Sequence, residues 1–287
     1  MVQTIHTVVF EEKPGGGNPC PVTLHAEELS TEEMQAMAKE FGEECVFLMR
    51  PDREDCDIRV RYFVPLHEME MCMHATIGSA TVLVEKGIFT KSPIVYETAL
   101  GPVRVEWERG KKGVEVCVEQ FLPKESKENP SPQEVCRALR IPEEELGEGP
   151  VCSAATSRFK LMVPLASKKA VYGLDPDYEA LWDVCDRYNT TGFYPFAIEK
   201  ENGETVIYAR QFPNRSGYLE DPATGVAASA LGAYLTLHQL LPVHEGWNSY
   251  TIRQGEAMGR PSIIGSDILV EEGKITRTRV RGTAHLV

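Results

Sequence analysis

Several features that would place a chain in a large functional class are missing here. There is no Cys-x-x-Cys pair: the eight cysteines, at 20, 45, 56, 72, 117, 136, 152 and 185, are scattered along the chain. That spacing speaks against a zinc ribbon or a disulfide framework and for reduced thiols. Positive charge is scarce as well. Thirty Lys and Arg against 43 Asp and Glu give a formal charge of −13, so neither nucleic acid nor an anionic membrane surface is expected as a partner, while local dipoles could still hold a small anionic substrate. The opening residues, MVQTIHTVVF, lack a basic stretch followed by an apolar core, and with the unpaired thiols this points to the cytoplasm. The longest uncharged run, from Pro222 to His244, contains Gly225, Ser229, Gly232, Thr236, His238 and Gln239. Its alanine-rich composition suits a helix wrapped in protein rather than one in lipid, so no membrane span is expected. The Gly/Pro segment PGGGNPCPV at 14–22 lacks the Lys-Ser/Thr of a phosphate-binding loop and reads as a turn between strands.

What the chain does have is length for two domains, each able to bury its own core, and a stretch at 68–87, EMEMCMHATIGSATVLVEKG, in which one pattern gives way to another. Alternation sends Met69, Met71 and Met73 to one side and Glu68, Glu70, Cys72 and His74 to the other. From Ala75 the residues are small or aliphatic up to Glu85, and Gly87 ends the helix that this composition predicts. His74 is thereby expected where an extended segment meets a helix N-terminus, beside free N–H groups that favour anions. Elsewhere Ser30 and Glu33, and Ser131 with Pro132 and Glu134, carry capping-box signals, and Gly42 closes the first of these helices. VRVEWER and VEVCVE flank a hairpin turn at Gly110 to Gly113, FYPFAIEK pairs with TVIYARQF, and ATGVAASALGAYLTLHQLL forms a second apolar helix.

The halves share a faint repeat. Phe47, Arg61 and Ala75 are spaced by 14 and 14, and Phe196, Arg210 and Ala223 by 14 and 13. Each series runs from a strand through an R-x-F strand to an Ala-Thr at the start of an apolar helix, which makes Ala75-Thr76 and Ala223-Thr224 counterparts. Two copies of one α+β unit would bring two helix N-termini to a shared cleft able to hold a carboxylate.

The segments GNPCPV (17–22), EECVFL (43–48), CMHATIG (72–78), EDPATG (220–225) and QGEAMGRPS (254–262) resemble the PhzF-like family, named for a phenazine-biosynthesis isomerase, and occur in that family's order over nearly the whole chain. The resemblance implies a diaminopimelate-epimerase-like α+β fold of two pseudo-symmetric domains, each a curved antiparallel sheet around a central helix. Their boundaries are expected at 1–125, joined by a C-terminal strand at 276–287, and at 126–275. It further implies cofactor-free proton transfer on a small carboxylic acid bound between the domains, commonly in a homodimer. Glu44 matches the family's catalytic glutamate, His74 the histidine of its C/A-G-H motif and Asp221 the aspartate of E-D-P-x-T-G. Asn18, Met73, Ala75, Thr76, Ala223, Thr224 and Gly225 are the matching candidates for substrate binding. Met73 stands where glycine is usual and Val226 where a serine often follows; the methionine narrows the pocket and the valine removes a hydroxyl.

Each of these residues also has a plainer role. Glu44 alone reads as a solvated glutamate after a helix, His74 as a satisfied structural histidine, and Asp221 before Pro222 as a helix N-cap. Glu70, Cys72 and His74 alternate as metal ligands would, yet a half-exposed strand gives the same pattern and no second cluster completes a coordination sphere, so no metal is expected. Cys72 has a separate claim, because related racemases of this fold use a thiol before Gly-His together with a second thiol. No cysteine occurs between Asp221 and Gly225, which disfavours a two-cysteine racemase and leaves an epimerase pairing Cys72 with Glu44 or Asp221 as the alternative. A non-catalytic small-molecule binder is the other.

Overall fold

The computed structural model describes residues 2–110 and 113–287. Lys111 and Lys112, in the hairpin turn expected between Gly110 and Gly113, lie outside the described residues. The strands themselves pair antiparallel up to Gly110 and Gly113.

In the first half, pairing runs from Gln3–Val9 to Asn18–Leu24, then to Cys45–Met49, Ile58–Phe63, Ile94–Thr98, Gly101–Gly110 and Gly113–Gln120. The C-terminal strand Lys274–Leu286 completes the circuit by pairing with both Gly113–Gln120 and Gln3–Val9. This ring encloses the helix Met73–Glu85, whose residues Met73 to Val84 are all buried. A helix apolar on every side needs such an enclosure, because no face of it can meet water without cost.

The second half repeats the plan. Cys152–Ala155, Lys160–Pro164, Gly192–Glu201, Glu204–Ala209, Gly246–Gln254 and Ser262–Glu271 pair in succession and end on the same C-terminal strand. They curve around the helix Gly225–Leu237, buried from Gly225 to Thr236. Both sheets are mixed rather than wholly antiparallel. Each half contains two parallel pairs, Asn18–Leu24 with Cys45–Met49 and Ile58–Phe63 with Ile94–Thr98 in the first, Lys160–Pro164 with Gly192–Glu201 and Glu204–Ala209 with Gly246–Gln254 in the second. Parallel neighbours require a crossover. In both halves the second crossover is the central helix, so the helix lies inside its sheet because of the order of the strands.

The repeat extends to side chains. Arg61 lies over Phe63 and grips Glu68 with two nitrogens at 2.7 Å, as Arg210 lies over Phe212 and grips Glu220 at 2.9 and 2.7 Å. The helix starts, however, are not where the Ala-Thr pairs predict. Cys72 and Thr224 are the N-caps, and each helix runs for 13 residues from the next position. Ala75-Thr76 therefore sits within the first turn, and Cys72 rather than Ala75 is the counterpart by position of the second helix's start. Neither cap side chain bonds the helix backbone, so the local signal that marks Ser30 and Ser131, whose capping boxes both form, is missing here. No helix among the described residues is long and apolar enough to cross a membrane.

Candidate active site

The two helix starts meet. A Cβ placed on Gly225 would lie 2.5 Å from the Cβ of Met73, so the second helix approaches this closely only because its first residue has no side chain. Beside that contact is a small cleft lined from the first half by Glu44, Met69, Met71, Cys72, Met73 and His74, and from the second by Arg158, Lys160, Gln211, Tyr218, Asp221 and Thr224 among others. It encloses about 40 Å³ open to water, space for only a few water molecules at ~10–15 Å³ each.

Glu44 follows the Gly42 cap of the helix Thr31–Phe41 and precedes the strand Cys45–Met49, a junction that turns its carboxylate into the cleft with 13% of the side chain exposed. Its Oε2 accepts from Cys72 Sγ at 3.2 Å and lies 3.4 Å from His74 Nδ1, which is itself 3.3 Å from the same sulfur. Tyr218 donates its hydroxyl to Oε1 from across the cleft. Burial holds the His74 imidazole below its usual range, with the Glu44 charge opposing, so this side chain is neutral and its contact with Glu44 is polar rather than an ion pair. Burial, reinforced by the Glu44 charge, pushes the Cys72 thiol well up; it stays protonated and serves as a donor.

Asp221 faces this trio from the second half. It is not the N-cap that its Asp-Pro sequence predicts: Ala223 intervenes and Thr224 caps the helix. Asp221 instead accepts from Asn18 Nδ2 at 2.8 Å and from the Thr224 hydroxyl, and its backbone N–H bonds the carbonyl of Gln211. Gln254 completes the cage, donating from Nε2 to the Asp221 carbonyl at 2.7 Å and to Thr224 Oγ1 at 3.0 Å. Burial first, then the Glu44 charge, push Asp221 up to about 7, against the Thr224 hydroxyl and Lys160, which lower it. The carboxyl is thus poised near neutrality, where groups that trade protons work best.

Glu44, Cys72, Met73, His74, Asp221, Thr224 and Gly225 come together at the cleft. Asn18 acts at one remove, holding Asp221 and the Ala223 carbonyl (3.0 Å) from the first half. The side chains of Ala75, Thr76 and Ala223 are fully buried outside it; Thr76 bonds the Tyr62 hydroxyl and the Cys72 carbonyl instead. Val226 does line the cleft. Glu70 is exposed and takes no part, because the strand is only Glu68–Met69 and the chain bends at Glu70. Glu44 replaces it, and Glu44, Cys72 and His74 offer three ligand atoms within 4.8 Å that could hold a metal ion, as do Glu125, Cys152 and His238 at the far end of the second helix. Tyr218, Arg158, Lys160 and Gln211 are among the cleft residues that were not legible as such in the sequence. The traces they leave are slight, a lone aromatic in the polar loop PNRSGYLEDP and a lysine opening the apolar strand KLMVP.

Known proteins match this chain along nearly its whole length. The "Uncharacterized isomerase YddE" of Escherichia coli K12 is 32% identical over 289 residues, covering 98% of this chain and 95% of that protein. A Bacillus anthracis phenazine biosynthesis protein of the PhzF family superimposes with a TM-score of 0.89 at 25% identity, covering 100% of this chain and 97% of that one. A hydroxyproline epimerase from Agrobacterium vitis, solved with trans-4-OH-L-proline, shares the fold at a TM-score of 0.68 and 13% identity, with 100% and 90% coverage. The family model described as phenazine biosynthesis-like protein matches residues 8–287. With the family model, the relative and the PhzF-family structure in agreement, this chain belongs to the PhzF (phenazine biosynthesis-like) family of isomerase-type proteins.

Proposed function

We propose that the protein is a cofactor-independent isomerase that moves a proton between carbons of a small carboxylate-bearing substrate held between its two halves. The observation that carries this reading is the meeting of Glu44, Cys72 and His74 from one half with Tyr218 and Asp221 from the other around one cleft. Met73, His74, Gly225 and Val226 are first-turn residues of the two central helices. Their N–H groups lie beyond the reach of intrahelical carbonyls and suit the substrate carboxylate. The substrate displaces the Tyr218 hydroxyl from Glu44, since the cleft as it stands is too small for an organic acid. Glu44 then takes a proton from a carbon made acidic by conjugation and returns it elsewhere on the same face. The neutral His74 imidazole and the Asp221 carboxyl orient the substrate and stabilise the charge that develops.

A second reading, epimerisation, has its own support in Cys72, whose sulfur touches both Glu44 and His74. Inversion needs an acid and a base on opposite faces of one carbon. Cys72 and Glu44 touch each other and so share a face, which leaves Asp221, across the cleft, as the opposing group. A screen of carboxylic acids in heavy water, with chiral analysis of the products, separates the readings. Deuterium incorporation with a shifted double bond supports isomerisation, inversion at one carbon supports epimerisation, and ligand-induced thermal stabilisation without any deuterium uptake contradicts both in favour of a binder.

A further inference from the structure

Three cleft groups have no part in the chemistry above. Lys160 is 5% exposed, and its ammonium donates to the carbonyl of Thr191 at 3.1 Å. Arg158 stands two positions earlier, half-buried, with its Nη1 3.6 Å from the thioether of Met69. Among the described residues neither cation has a carboxylate within 4.0 Å, although most arginines of this chain do, including the nearly buried Arg210 on Glu220. Gln211 is 1% exposed, and its Nε2 has no hydrogen-bond partner among the described residues.

This arrangement is unfavourable by itself. A buried ammonium is costly unless paired, and a second cation beside it adds repulsion. Burial and then Arg158 pull Lys160 down to about 8, with Asp221 and Glu44 offsetting this from beyond ion-pair distance. Two cations without a carboxylate partner and an unbonded amide nitrogen, all lining one cleft, are what a bound anion would satisfy. We infer that Arg158, Lys160 and the Gln211 amide form an anion subsite for a second acidic group of the substrate, which makes the preferred substrate a short dicarboxylic acid. A flat carboxylate suits so small a space better than a tetrahedral phosphate. The inference rests on the proposed isomerase reading for the position of the first carboxylate, at the helix starts; the subsite itself rests on the three donors.

Binding is measured by calorimetry on the full-length protein with malonate, succinate and glutarate, each against the monocarboxylate of equal carbon number, propionate, butyrate and pentanoate. The wild type is expected to hold at least one diacid about tenfold or more tighter than its partner, and Arg158→Gln or Lys160→Gln to reduce that preference below about threefold with monoacid affinity kept. Lys160→Arg, which retains the cation, keeps the preference, and with Arg158→Gln it decides the matter where Lys160→Gln does not fold. Equal affinity of the wild type for diacid and monoacid overturns the subsite, as does a preference that survives both neutral substitutions. Glu44→Gln should retain the preference. Diacid preference without proton exchange would therefore count against the isomerase reading alone, and exchange without the preference against the subsite alone.

Discussion

The first central helix begins at Cys72 and Met73 beside a carboxylate, a thiol and an imidazole within 3.4 Å of one another. The second begins at Thr224 and Gly225 beside one carboxyl caged by Asn18, Thr224 and Gln254. The two helices have the same length, and an arginine-carboxylate grip lies behind each start; what differs is the set of groups that each carboxyl touches. In the first half a carboxylate, a thiol and an imidazole touch one another. In the second the carboxyl oxygens are engaged by donors that fix its direction. On the proposed reading, one copy of a duplicated unit handles protons while the other holds and orients.

The comparison can be broken at its scaffold. Arg210 and Glu220 are each about 10% exposed, whereas Arg61 and Glu68 are 19% and 38% exposed. Glu220→Gln should therefore destabilise by roughly 3–5 kcal/mol, since it removes the counter-charge of a buried guanidinium whose other acceptors are backbone carbonyls, and Glu68→Gln by less than about 1 kcal/mol. Urea unfolding of both variants checks this, and equal losses would mean that the two grips are not differently buried. Gly225→Ala, pressed against Met73, should cost about 1–3 kcal/mol, and Met73→Gly in the same chain should recover much of it.

Proton linkage sharpens the contrast. Folded Asp221 keeps its proton to about 7 against an ordinary value of 3.8, so between those values the folded state binds more protons than the unfolded chain. Stability contributed by this group is then lost as pH rises through that window. The melting temperature of Asp221→Asn relative to wild type should climb by several degrees between about pH 4 and 8; a difference independent of pH would show that Asp221 is ionised throughout. The smallest effect is expected at Cys72. Cys72→Ser should slow isomerisation less than about tenfold, whereas an epimerase using this thiol would lose about 10²–10⁴-fold.

Both capping boxes and the glycine stops at Gly42 and Gly87 could be read from sequence because each is written within a few residues. The same locality misplaced the helix starts. Cys72 and Thr224 cap without a side-chain bond, while Asp221, which looks like a cap, is drawn away by Asn18 from 203 positions earlier. Family resemblance picks out Glu44, His74 and Asp221, and the repeat brings the two helix starts to one cleft; the close contact of Gly225 with Met73 at that meeting is written in neither. The lack of a second thiol between Asp221 and Gly225 argues against Cys72 as half of a two-cysteine pair, yet its sulfur lies against both Glu44 and His74. Tyr218 reaches Glu44 across 174 positions, and no local pattern announces such a pairing.

The central claim is that Glu44 carries the proton. Once the heavy-water screen has supplied a turned-over acid, the exchange rate of its reacting C–H is measured for wild type and for Glu44→Gln, which can still accept the Tyr218 hydroxyl. The account predicts a fall of about 10²–10⁴-fold with ligand-induced stabilisation unchanged. Exchange by Glu44→Gln at the wild-type rate would contradict it.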